Sequence, residues 1–196
     1  MITKEKATDL LHSKMQSQNL RKHSYAVGVV MKALAKHFHE DEDLWEVVGL
    51  LHDADYEKWP NEHPRKIVEE LEKDNAPEEL TRAIKAHAWG YNGMDIEPKS
   101  NLDWAVYCCD ELTGLIVAVT LVRPDPPSHE ASEGQGKKLK YVTVEDVLRK
   151  WNKKGFAKGV NRDQIAMCQD KLGIKLNDFI AITLKAMQEN SEELGL

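Results

Sequence analysis

The stretch Gly49-Leu50-Leu51-His52-Asp53-Ala54-Asp55-Tyr56-Glu57 decides how the rest of the chain is read. An apolar helical run, Leu44, Val47, Val48 and Leu51, ends in the adjacent pair His52 and Asp53. His52 follows Val48 by four residues, so on a helix it extends the same inward stripe. Burying an imidazole and a carboxylate there without partners costs several kcal/mol, so pairing or a metal ion is the expected remedy.

Working back from this stretch, the run Glu40-Asp41-Glu42-Asp43 suits a helix start, where carboxylates complement the dipole. Before it, residues 20–38 read as a helix carrying Leu20, Val27, Val30, Met31, Leu34 and Phe38, with Asn19 as its cap. Residues 3–17 read as another, with Ala7, Leu10, Leu11 and Met15 on one side. Working forward, a polar turn from Asp55 to Glu62 is broken at Trp59-Pro60-Asn61. Pro64 opens a helix with Ile67, Val68 and Leu71, and Pro77 another with Leu80, Ala83 and Ile84, stopped by Gly90, Asn92 and Gly93. A long apolar helix spans about 101–122, with a bend allowed at Gly114. Arg123 to Lys140, rich in proline and glycine, reads as a surface loop. Helices follow at 144–152, at 162–172 behind Asn161, and beyond Asn177 as a cap; Lys140 to Val144 alone hints at period two. The expected fold is all-α: a core over 1–122, a flexible loop over 123–142, and C-terminal helices over 143–196 packing on the core.

At 196 residues the chain suits one domain with a substantial core. A net charge of -6 gives no reason to expect a nucleic acid polymer or an anionic membrane surface. No apolar run approaches the roughly 20 residues of a bilayer span, and the first residues lack a signal peptide's apolar core. Three cysteines, Cys108, Cys109 and one more, form neither a disulfide framework nor a zinc motif, so a reducing cytoplasm is the expected setting.

Several polar residues lie on apolar stripes. His23 precedes Val27 by four residues, His63 precedes Ile67 by four, and Asp110 follows Val106 by four. His87 follows Ile84 by three and Leu80 by seven, on its helix's inner face. Any one of these alone reads as a core residue bonded to the backbone. Together their burial penalties call for a shared partner, and a divalent cation accepts imidazole and carboxylate alike.

The order His23, then His52-Asp53, then Asp110 on successive helices resembles the HD superfamily of metal-dependent phosphohydrolases, its small HDIG-like members in particular. Leu50-Leu51-His52-Asp53 is the most characteristic piece, and the resemblance covers about residues 20 to 120. It implies an HD-domain helical bundle in which His23, His52, Asp53 and Asp110 bind a divalent ion: Mn, Fe, Ni, Co or Zn. Dinuclear members insert further histidines between the His-Asp pair and the last Asp. His63 and His87 occupy that interval, with Asp53 placed to bridge, so one or two ions are expected. The alternative for His63 is a cap on the helix at Pro64.

The implied reaction is hydrolysis of a small phosphorylated molecule, nucleotides included, by metal-activated water. Asp53 could orient or deprotonate that water, and Lys58 and Arg65 are the nearest cationic donors in sequence. Asp55 and Glu57 could be outer-shell groups or a leaving-group acid. Two other readings stand beside this one: a dinuclear-iron oxygenase on the same fold, and a non-catalytic ligand-sensing module. No feature names a substrate-binding residue, although Trp89, Tyr91 and Trp104 could line a pocket or pack in the core. The segment 137–162 holds nine basic residues against Glu145 and Asp146, a lid or phosphate-gathering edge or else a solvated face. His12, His37, His39 and His129 read as exposed, and the apolar last helix could serve a homodimer.

Overall fold

The computed structural model describes residues 2–124, 138–153 and 155–196. Its helices are α1 (Lys4–Lys14), α2 (Gln18–Phe38), α3 (Glu42–Leu51), α4 (Arg65–Lys73), α5 (Glu78–His87) and α6 (Asn101–Val122). A 3-10 turn at Leu139–Tyr141 precedes α7 (Val144–Trp151), α8 (Arg162–Ala166), α9 (Cys168–Leu172), α10 (Leu176–Glu189) and α11 (Ser191–Leu194). The fold is all-α, with no strand among the described residues. The period-two hint at Lys140 to Val144 is therefore the 3-10 turn and the start of α7. Most of the 123–142 loop, His129, Lys137 and Lys154 lie outside the described residues.

Packing centres on α2 against α3 and on α6 against α2, α5, α8 and α9. α2 and α3 approach so closely that a β-carbon on Gly49 would stand 2.7 Å from Gly28 N and Cα. That approach requires glycine at position 49 and brings the His23 and His52 ends of the two helices together. Asp41 caps α3 through the Asp43 and Leu44 N–H groups, as the acidic run foretold. α2 is capped by Ser17 rather than Asn19. α6 runs unbroken through Gly114, opened by a reciprocal Ser100–Asp103 capping box.

Contrary to the expectation from sequence, α6 is long and apolar enough, by length and composition, to cross a bilayer, but most of it is buried as the core helix. The 162–172 region is two short helices that meet at Met167, and α10 starts at Leu176 instead of behind Asn177. One continuous apolar cluster runs from Ala7 and Leu11 through α6 to Phe179 and Ile180.

Candidate metal centre

His23 stands on α2, His52 and Asp53 at the end of α3, His63 in the turn before α4, His87 at the last position of α5, and Asp110 on α6. The fold brings all six together. Asp110 Oδ1 is 2.9 Å from His23 Nε2 and 3.5 Å from His52 Nε2. Asp53 Oδ2 is 3.7 Å from His23 Nε2 and 3.6 Å from His52 Nε2. The other oxygen of the same carboxylate, Oδ1, is 3.2 Å from His63 Nε2 and 3.5 Å from His87 Nε2. Two donor groups therefore share Asp53: one with His23 and His52, the other with His63 and His87.

The far side of each ring explains why the Nε2 atoms converge. His52 Nδ1 donates to the Gly49 carbonyl at 2.7 Å, and His87 Nδ1 donates to the Ile84 carbonyl. His63 Nδ1 donates to Asp55 Oδ1 at 2.6 Å. Thr113 spends its own hydroxyl proton on the Asp110 carbonyl at 2.7 Å, so it accepts from His23 Nδ1 at 3.5 Å. With every Nδ1 committed, each Nε2 is left with a lone pair, the tautomer a metal ligand needs. His63 and His87 then face each other Nε2 to Nε2 at 3.1 Å with no proton between them, a repulsion that a shared cation removes. His52 Nε2 is buried without a hydrogen-bond partner. A buried orphan nitrogen and facing lone pairs beside two carboxylates fit a divalent ion.

The electrostatics agree. Burial disfavours a charged His52, but the Asp53 and Asp110 carboxylates outweigh it and raise that imidazole to about 9. Burial likewise opposes ionised Asp53 and Asp110, yet the surrounding imidazoles hold both well below the usual carboxylate range. Burial lowers His87. Two ionised carboxylates buried among imidazoles make this a pocket that stabilises positive charge.

A cleft of about 700 Å³ opens onto the cluster, walled by Tyr56, Trp89, Tyr91, Tyr107 and Glu111 and edged by Gly159, Asn161 and Gln164. Of the aromatic residues singled out from sequence, Trp89 and Tyr91 line it, whereas Trp104 is core. Glu111 went unnoticed in the sequence. Tyr107, Asp110 and Glu111 share one face of α6 at spacing i, i+3, i+4, which was the signal available. Burial raises the Glu111 carboxyl, and its Oε2 accepts the Asn161 N–H at 3.0 Å.

Other candidates are held elsewhere. Lys58 donates to the Ser13 carbonyl at 3.0 Å, and Arg65 to the Asn92 carbonyl at 3.0 Å; neither lines the cleft. Glu57 points the opposite way, its Oε2 accepting the Gln16 and Ser17 N–H groups ahead of α2. His63 is not a helix cap, since α4 begins without a side-chain cap. The 137–162 segment reaches the cleft through Gly159 and Asn161, not through its described cations. Arg162 donates to the Phe156, Ala157 and Val160 carbonyls, Lys150 covers the Phe156 ring at 4.9 Å, and Arg149 faces Asp146 at 3.5 Å. His12 is half-buried and bonded to the Tyr25 hydroxyl, while His37 and His39 are exposed. Cys108 and Cys109 are buried behind Asp110, and burial pushes both thiols up.

A helical bundle with histidines and aspartates converging from successive helices defines a narrow class of protein. The family model of the HD domain matches residues 20–115, and that segment belongs to the HD-domain superfamily. No curated protein matches the chain.

Proposed function

We propose that the protein is a metal-dependent phosphohydrolase acting on a small phosphorylated molecule, with His23, His52, Asp53 and Asp110 holding one divalent ion and Asp53, His63 and His87 a second. The observation that carries this reading is the common orientation of four imidazoles, each Nδ1 committed and each Nε2 turned toward the two carboxylates. When bound, such ions polarise a phosphoryl oxygen and lower the pKa of water toward neutrality. Asp53, facing both halves, orients the nucleophile. Glu111, beside the cluster with its carboxyl raised by burial, is placed to return a proton to the leaving oxygen. Tyr56, Trp89 and Tyr91 hold the organic part, in a cleft whose volume of about 700 Å³ suits a nucleotide-sized molecule. Lys58 and Arg65 have no part in this scheme.

Elemental analysis of protein purified without chelator, followed by a phosphatase screen over nucleotides with Mn, Co, Ni or Mg, tests the reading. His52→Ala or Asp53→Ala should abolish both metal retention and turnover; variants that keep both would overturn it. The presence of His63 and His87 in the cluster also favours a second reading, a dinuclear-iron oxygenase. Oxygen consumption by the iron-loaded protein without phosphate release would select it.

A further inference from the structure

We propose that Asp55 is the positioning residue that makes the His63/His87 half of the centre able to hold its ion. The inference rests on the two-ion reading above. Three of the four imidazoles give their Nδ1–H to neutral acceptors, the Gly49 and Ile84 carbonyls and the Thr113 hydroxyl. Only His63 gives it to a carboxylate. Asp55 is 1% exposed and accepts two donors, His63 Nδ1–H on Oδ1 at 2.6 Å and the Ile67 N–H on Oδ2 at 3.0 Å. The Tyr56 ring stands edge-on to His63, centroids 5.4 Å apart, and restricts how the imidazole can turn.

The two donors make the carboxylate irreplaceable. A backbone N–H can only donate, so an amide at position 55 must turn its oxygen to Ile67 and its NH2 to His63. His63 Nδ1 then has to accept, and the ring proton moves to Nε2. That atom faces Asp53 Oδ1 at 3.2 Å and His87 Nε2 at 3.1 Å, so its lone pair is withdrawn from the place where an ion would take it. Asp55→Asn therefore blocks one half of the centre while leaving shape and volume almost unchanged. The Asp55 carboxylate bonds to His63 and Ile67 and not to His23, His52 or Asp110, so that half keeps its donors.

Long-range 1H–15N correlation spectra of the metal-free protein report which ring nitrogen carries the proton. Wild-type His63 should be protonated on Nδ1 and the Asp55→Asn protein on Nε2. Mn2+ titration, followed by calorimetry and electron paramagnetic resonance, should give two equivalents with an exchange-coupled signal in wild type. Asp55→Asn should keep one equivalent with an uncoupled signal, the other weakened by about 10–100-fold. A role in stability alone would move neither the tautomer nor the coupling. Asp55→Asn with two equivalents at wild-type affinities, or wild-type His63 protonated on Nε2, overturns the inference alone. The wild-type spectrum tests it even where the variant does not fold. A wild type that takes up no Mn2+ overturns the metal reading and this inference together.

Discussion

A β-carbon at Gly49 would meet the Gly28 backbone at 2.7 Å, whereas one at Gly28 would meet the Leu50 side chain at 3.2 Å. Backbone cannot yield as a leucine can. Gly49→Ala should therefore cost about 1–3 kcal/mol in urea unfolding, and Gly28→Ala less. Glu46 is a second residue with a measurable signature, buried between Lys4 at 2.6 Å and Lys32 at 2.8 Å. Burial opposes its charge, but the two lysines win and lower it from 4.5. The pair thus stabilises the fold above about pH 4.5 and is lost as pH falls through the lower, folded value. Glu46→Gln should flatten the acid limb of the stability curve and cost about 1 kcal/mol at pH 7, the lysines being half-exposed. Glu111→Gln should lower kcat by about 100-fold while metal content holds, which separates a proton donor from a ligand. Residue placement was legible where helical phase decided it, as for His87. It was illegible where a turn did, as for Glu57, whose contacts lie 40 and 41 positions away in sequence.

Among the elements, the segment between α7 and α8 borders the cleft in a way its composition did not suggest. Nine basic residues suggested a surface that gathers phosphate, but Arg162 spends its guanidinium on three carbonyls of its own segment. The strap this creates presents Gly159, Asn161 and Gln164 to the cleft, with Gln164 Nε2 donating to the Tyr107 carbonyl at 2.7 Å. Arg162→Ala should free the strap and raise KM about tenfold, equivalent to about 1.4 kcal/mol, with metal content unchanged. Element type was readable from apolar periodicity over most of the described residues, though not at Lys140 to Val144. Boundaries failed where two caps competed, Ser17 against Asn19, or where a five-residue helix ended at Met167, whose N–H turns back to the Gln164 carbonyl. Gly114 shows the limit of propensity: a buried helix packed on several neighbours stays continuous despite a residue that costs about 1 kcal/mol.

At the scale of the whole molecule, α2, α3, α5 and α6 meet at the centre, so an ion bound there ties together helices from across the core. Chelation should lower Tm by roughly 5–10 °C relative to protein held at about 100 times Kd of Mn2+, read by differential scanning calorimetry. The all-α class was visible in the periodicities, because apolar stripes of that spacing have few other ways to be buried. That separate stripes face one another was not, since helical phase says nothing about the angle between helices.

Asp53 turns one oxygen to each half of the cluster. A single anion serving two cations neutralises the first more completely than the second, and like charges drawn to the same group repel. On the two-ion reading proposed above, the halves would fill in sequence, not at once, over a range of free metal in which most molecules carry a single ion. Within that range, the cell's metal supply would set the fraction of fully loaded protein.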